Sequence, residues 1–397
     1  MSFALKKDIY SVGVLNPAMR VFDIIMKTEY GTSYNAYLVR GNKKNALVET
    51  VHVNFFDEYI ANIESIMPVS QIDYVIVNHT EPDHSGSIAK LLQMNPNITI
   101  VGSMAALKYL ENIANCDFQK MPVKDNDVLD LGGKTVRFMI APFLHWPDSM
   151  FSYVEEEKVL FSCDFLGAHY CEPRMIDTRA SYPTKYESAF LNYYTAIFSP
   201  FKEFVLKGLD KIKDLPIDMI APSHGPVLTD TIKTAMDKYQ SWSAGYNDAL
   251  TSQKVAIIYV SAYGCTKKMA KIAFNVLEKK GFEPVMYDAI DYDTAFLAEE
   301  FCQSRAVMIG SPTINRDALK PIWDVLSSVD AIAQRGKKCA VFGSYGWSGE
   351  AVGMVKNRLS DLKMNVFGDG CRAIFIPNDE EIDKMHLYAE EFADSIK

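Results

Sequence analysis

Four side chains able to bind a metal fall within six residues, His79-Thr80-Glu81-Pro82-Asp83-His84, directly after the apolar run of IDYVIVNHT (72–80). A short apolar run bounded by polar residues reads as a buried strand, so these side chains sit on the loop that ends it. Three further candidates follow at wide spacing, each at a strand end or in a tight turn: His145 in APFLHWPDSM, Asp164 in LFSCDF and His224 in APSHGP. The chain has seven histidines, and four belong to this pattern. Any one of these residues alone would read as a solvated loop residue. Asp164, however, interrupts the apolar run VLFSCDFLG, where an unpaired carboxylate would be costly to bury. A metal removes that cost.

The pattern of strands divides the chain. TSYNAYLVR (32–40), NALVETV (45–51), ITIVGS (98–103), TVRFMIAP (135–142), MFSYVEE (150–156) and VLFSCDF (159–165) read as strands, with a helical stretch near 55–67. They come in pairs with helices between them, without strict β-α alternation. Beyond about residue 250 the style changes. KVAIIYVSAYG (254–264), EPVMYDAI (283–290), AVMIGSPT (306–313), KCAVFGSYG (338–346) and CRAIFIP (371–377) are five strands separated by helices, the first being TKKMAKIAFNVLEKKG. That alternation predicts a doubly wound parallel sheet. The boundary is expected at the polar stretch 247–254, giving domains 1–250 and 251–397.

Bulk properties exclude several classes. A chain of 397 residues is expected to hold two or three domains. Its net charge of −9, with no basic stripe, argues against a nucleic-acid partner. The start MSFALKKDIY lacks the apolar core of a secretory signal, and no apolar run is long enough to span a membrane. A cytoplasmic protein is expected. The seven cysteines are irregularly spaced with no C-x-x-C pair, which predicts reduced thiols and excludes a rubredoxin-type site or zinc ribbon.

The strand-end placement of the ligands resembles the metallo-β-lactamase fold, an αββα sandwich whose loop reads H-x-H-x-D-H. Here Glu81 stands at the second histidine. Zinc in such hydrolases favours imidazole-rich sites. A carboxylate adds negative charge and a hard donor, which suits iron. H-x-E-x-D-H, followed by HWPDSM, a strand-end Asp and PSHG, resembles the flavodiiron family across essentially the whole chain. The resemblance implies one iron on His79, Glu81 and His145, a second on Asp83, His84 and His224, and Asp164 as the bridge. In some family members the histidine matching His84 turns away from the metal. His169, Tyr193 and Tyr194 are candidates to donate hydrogen bonds near the site.

In the second half, the loop Ser261 to Thr266 (with Tyr263, Gly264 and Cys265) joins a strand to a helix N-terminus and offers a phosphate cradle. It carries neither G-x-G-x-x-G nor a Walker lysine, which points to a monophosphate. Two more loops lie at strand ends, where such sheets bind ligands. They are Ser311-Pro312-Thr313-Ile314-Asn315 and Ser344-Tyr345-Gly346-Trp347-Ser348-Gly349. The trio resembles flavodoxin, which implies FMN with its phosphate at 261–266. The isoalloxazine would lie against the other two loops, with Trp347 the first choice for the stacking ring. Cys265 reads as a small loop residue where the family often has Ser or Thr.

The resemblance implies a flavodiiron oxidoreductase that reduces O2 to water, or NO to N2O, with electrons relayed through FMN. It implies a separate electron donor, such as rubredoxin or a reduced deazaflavin, and a head-to-tail homodimer or a tetramer built from it. The rivals are a zinc hydrolase of the metallo-β-lactamase fold with a flavodoxin-like docking domain, and a pure electron carrier. Glu81 argues against the first, and the full ligand set against the second.

Overall fold

The computed structural model describes residues 2–22, 26–244 and 251–397. The chain forms two compact units, Met1–Ala244 and Gly245–Lys397. Of the stretch 247–254 expected to join the domains, residues 247–250 lie outside the described ones.

The first unit is a sandwich of two sheets. One has seven strands in the order Phe3–Lys6, Ile9–Ser11, Tyr37–Arg40, Asn45–Val48, Tyr74–Val77, Thr99–Gly102 and Gln119–Pro122. Its first three pairings are antiparallel and its last three parallel. The other has five strands, Val128–Asp130, Thr135–Ile140, Met150–Val154, Val159–Cys163 and Met219–Pro222, antiparallel except for the last pair. Between the sheets lie Tyr37, Val48, Ile76, Phe138, Val154 and Phe161. The outer face of the first sheet is covered by the helices Phe56–Glu64, Ile88–Met94 and Met104–Ala114. The outer face of the second is covered by Pro183–Tyr193, Lys202–Ile212 and Ile232–Ser243. This is the expected αββα order. Because both faces are covered, Met150–Val154 and Val159–Cys163 are buried at every position, and their sequences read as apolar runs.

The stretch 32–40, read as one strand, is two. Thr32–Tyr34 pairs with Val14–Asn16 in a separate ribbon, while Tyr37–Arg40 joins the large sheet. Asn35, between them, donates through its side-chain amide to the carbonyls of Pro222 and Gly225, both at 2.8 Å. Hydrogen bonds to a distant loop thus override the local alternation. They also bring Thr32 and Ser33 beside His224. The strands at the N-terminus and at 119–122 were not among those expected. Each is short and part-exposed, with little periodic signal.

The second unit is the parallel sheet expected. Its order is Glu283–Asp288, Lys254–Tyr259, Ala306–Gly310 and Lys338–Tyr345, and the last of these pairs with both Asn365–Val366 and Cys371–Ile374. Buried clusters on both faces hold its helices. The loops 261–266, 311–315 and 346–349 all leave from carboxyl ends of the central strands. All seven cysteines are free thiols. Among the described residues, no helix is long and apolar enough to cross a membrane.

Candidate metal centre and nucleotide loops

Each candidate ligand is delivered by the end of a strand. After Tyr74–Val77, the Asn78 amide donates to Glu49 Oε1 at 2.9 Å, and the loop turns into the short helix Pro82–Ser85. Pro82 suits the first helical position, where its missing N–H is not needed. His145 lies between Thr135–Ile140 and Met150–Val154, and Asp164 follows Val159–Cys163. His224 follows Met219–Pro222, and the turn after it needs Gly225. That residue has φ of +78°, and a Cβ there would lie 2.5 Å from the Ala168 carbonyl oxygen.

All seven candidates converge. His79, Glu81, His145 and Asp164 place one ligand atom each within 4.8 Å of one another, and so do Asp83, His84 and His224. Glu81 Oε2 is 3.3 Å from Nε2 of both His79 and His145. Asp83 Oδ2 is 3.1 Å from His224 Nε2, and Asp83 Oδ1 is 3.4 Å from His84 Nε2. Asp164 joins the groups. Its Oδ2 faces His145 at 3.4 Å and His79 at 3.8 Å, while its Oδ1 faces His84 at 3.2 Å and His224 at 3.4 Å.

The buried carboxylates call for positive charge beside them, which protonated imidazoles or metal cations can supply. Burial alone would raise the Asp164 carboxyl, but His84, His145 and His224 hold it well below the ordinary carboxylate range. Burial would pull His79 down, yet hydrogen bonds to Asp148 and Glu81 push it up to about 10. Burial likewise opposes charge on His84, and Asp83 and Asp164 overcome it. Taking an ion out of water costs several kcal/mol, so three carboxylates here need positive charge beside them. Both oxygens of Asp83 and Nε2 of His84 are buried without a hydrogen-bond partner. A donor set of four imidazoles and three carboxylates, with open lone pairs on both sides of Asp164, fits a pair of divalent cations.

Groups behind the ligands fix their direction. Asp148 Oδ1 is 3.2 Å from His79 Nδ1, and Asp148 Oδ2 accepts from the Thr80 amide and hydroxyl, both at 2.8 Å. His224 Nδ1–H donates to the Ser33 carbonyl at 2.7 Å, which leaves Nε2 free to ligate. Tyr193 donates to Asp164 Oδ1 at 2.9 Å. Tyr194 is not at the site. Its hydroxyl pairs with Ser243 at 2.8 Å and its ring packs on Tyr239 and Trp242, because one step along a helix turns a side chain about 100° away. His169 packs against His224 with ring centroids 4.8 Å apart, and its Nδ1 meets Thr32 Oγ1 at 2.9 Å.

Asp148, Ser33 and Glu49 were not singled out from the sequence. Asp148 lies inside the quoted HWPDSM, and a carboxylate three residues after a candidate ligand was the available signal. Glu49 groups with His84 and Cys163, and burial pushes its carboxyl up to about 8. Its sequence context, an acidic residue closing the strand Asn45–Val48, gave little to mark it.

In the second unit the three loops meet. Thr266 Oγ1 lies 2.9 Å from Ser344 Oγ, the Thr313 amide donates to the Ser344 carbonyl at 2.9 Å, and the Ala351 amide donates to Thr313 Oγ1 at 3.2 Å. The Lys267 amide donates to Ser261 Oγ at 3.2 Å, and Gly264 enters the helix Cys265–Lys279 at φ of +83°. That helix opens with unpaired N–H groups and a partial positive charge. Tyr263 and Trp347 stand 91% and 90% exposed beside this junction. Hydroxyls, a helix N-terminus and free aromatic faces together fit a phosphorylated ligand with a flat ring.

Comparison with known proteins agrees with both halves. Residues 32–225 match a family described as ODP family beta lactamase, and residues 257–387 match Flavodoxin. The chain is 51% identical over 400 residues to flavo-diiron protein FprA2 of Clostridium acetobutylicum, covering 99% of each. It is 32% identical to the nitric oxide reductase of Moorella thermoacetica, covering 98% of each. Among solved structures it resembles rubredoxin oxygen:oxidoreductase from Desulfovibrio gigas. That match has a TM-score of 0.68 and 26% identity, and it covers 100% of this chain and 98% of the other.

Proposed function

The chain belongs to the flavodiiron protein family and is an oxidoreductase, and on that premise we propose that it reduces O2 to water, NO to N2O, or both, at a pair of irons served by FMN. The observation that carries the reading is the split carboxylate of Asp164, one oxygen toward each group of ligands. Relatives named for nitric oxide and for oxygen support the two gases.

One iron would be held by His79, Glu81 and His145, the other by Asp83, His84 and His224, with Asp164 shared. When bound, the irons supply a reducible pair open to a diatomic gas, and FMN supplies electrons to it. The chain's own groups do the positioning. Asp148 and the Ser33 carbonyl keep the Nδ1 side of His79 and His224 occupied, so that each presents Nε2. Tyr193 keeps its proton, since burial and then Asp164 raise its hydroxyl well above the usual range. It therefore remains a donor to Asp164. Trp146 packs 5.0 Å from the His79 ring and shields that side from water. Glu81 argues against the zinc hydrolase. FMN would place its phosphate at Ser261–Thr266 and its ring against 311–315 and 344–349. A separate donor, such as rubredoxin or a reduced deazaflavin, would supply electrons. A head-to-tail homodimer would bring each FMN to the iron pair of the other subunit.

The deciding experiment reduces the iron- and FMN-loaded protein without air and exposes it to each gas in turn. Rapid consumption of O2 or NO is expected. Failure to consume either, with both cofactors present, overturns the reading.

A further inference from the structure

Glu49 follows the strand Asn45–Val48 with φ of +62°, a backbone form that a residue with a side chain rarely takes. Such a form persists where the surroundings fix it. Glu49 is buried, and its amide donates to the Ile76 carbonyl at 2.9 Å. Its own carbonyl accepts from the Tyr59 hydroxyl at 3.2 Å, and its Oε1 accepts from the Asn78 amide at 2.9 Å. Its Oε2 is buried without a hydrogen-bond partner. The chain thus spends strain and four hydrogen-bonding groups to carry one open carboxylate oxygen into its interior.

The group beside that carboxylate is His84. A carboxylate oxygen of Glu49, a ring nitrogen of His84 and the Cys163 sulfur lie within 4.8 Å of one another. The next residue, Thr50, holds the His84 backbone, its amide and hydroxyl donating to the His84 carbonyl at 2.9 and 2.5 Å. Residues 49 and 50 therefore meet the ring and the backbone of the same histidine. On its metal side, His84 Nε2 lies 3.2 Å from Asp164 Oδ1 and 3.4 Å from Asp83 Oδ1. An imidazole that binds a metal through Nε2 carries its hydrogen on Nδ1 and donates it. Asp148 stands at that nitrogen of His79, and the Ser33 carbonyl at that of His224.

We infer that Glu49 is the positioning residue of His84. Its carboxylate takes the ring's Nδ1–H and keeps Nε2 turned to the second metal position, so that His84 ligates in this chain instead of turning away. The inference rests on the reading of the cluster as an iron pair.

A double-mutant cycle tests it, with Glu49→Gln, His84→Asn and the two together. Glutamine keeps the shape and puts a donor in place of one carboxylate oxygen. Two readouts apply. The first is ferrous iron binding to the full chain, titrated without air against a chelator. Glu49→Gln should weaken one of the two irons about 10–100-fold and leave the other unchanged. With His84→Asn already in place, Glu49→Gln should weaken binding no further, because the ring it orients is gone. The second readout is proton NMR of the diferrous protein. The exchangeable N–H signal of His84, identified by its loss in His84→Asn, should exchange with solvent faster in Glu49→Gln, while the other histidine N–H signals stay as they are. Equal weakening in both backgrounds, or none in either, overturns the inference. So does a His84 signal that is missing from wild type or unmoved in Glu49→Gln. If Glu49→Gln does not fold, Glu49→Asp replaces it in the cycle, with a smaller weakening expected and the same outcomes deciding. A wild-type chain that takes up zinc and no iron defeats the iron reading instead, and the binding cycle run with zinc then decides on Glu49. Uptake of neither metal overturns both.

Discussion

The carboxylate of Asp148 lies 3.2 Å from Nδ1 of His79, and both residues are fully buried. A carboxylate in that position fixes the ring's tautomer and makes its Nε2 a better ligand. Asp148→Asn keeps the shape and removes the charge. Iron affinity, measured by competition with a chelator, should fall by about 10–100-fold, while FMN binding stays unchanged. An affinity equal to wild type would mean that Asp148 serves only to hold Thr80.

Asp164 serves both ligand groups at once. Asp164→Ala should empty both iron positions, because each loses a donor and the two cations lose the negative charge between them. FMN, which the loops of the other unit would hold, should remain. Metal analysis beside flavin absorbance reads both at once. Two irons retained with full gas turnover would remove Asp164 from the bridging role.

These two positions show what the sequence could and could not reveal. His79, Glu81, Asp83, His84, His145, Asp164 and His224 were legible because each is a ligand-type residue at the end of an apolar run, where burial would otherwise be costly. The parallel sheet after residue 250 was legible for a similar reason, since strands buried on both faces read as continuous apolar runs. Tyr194 was misplaced beside Tyr193 because adjacency in sequence says nothing about which face of a helix meets the site. Asp148 and Ser33 act through His79 and His224, and those pairings span 69 and 191 residues of chain. No local pattern records such a pairing. The break at Asn35 has the same origin.

Glu81 distinguishes this ligand set from an imidazole-rich one. Glu81→His should shift metal preference toward zinc and lose O2 or NO reduction. Growth with both metals, followed by elemental analysis, measures the shift. Two irons and undiminished reduction in the variant would show that the carboxylate does not select the metal.

Lys337 is a buried cation in the second unit. Its ammonium donates to the carbonyls of Phe301, Cys302 and Ser304 at 2.7–2.8 Å, where the helix Thr294–Gln303 ends. Burial pulls it down to about 8, while the unfolded chain keeps about 10.4. Between those values the unfolded state binds more protons, so the stability that Lys337 contributes rises with pH across that window. Lys337→Met should cost about 1–3 kcal/mol near neutral pH through three unpaired carbonyls. The gap to wild type should widen as pH rises through the window. Urea unfolding at several pH values measures it, and a gap that narrows would mean that the fold favours the ammonium.

Trp347 and Tyr263 stand almost fully exposed at the nucleotide loops, and Phe375 and Ile376 nearby are 64% and 70% exposed. Exposed apolar side chains in one region mark a surface that something covers. Closed two-fold pairing is the commonest oligomer symmetry. A head-to-tail dimer would cover this region and bring each FMN to the partner's iron pair, which matters because electron transfer weakens steeply with distance. Two inactive variants test it, Asp164→Ala without iron and a second chain unable to hold FMN through changes in 261–266. Mixed and allowed to exchange subunits, they should regain part of the activity, since each mixed dimer has one intact FMN facing one intact iron pair. Mixed dimers confirmed by mass measurement but inactive would reject transfer between subunits. Full activity in a monomer, established by light scattering, would reject it more directly.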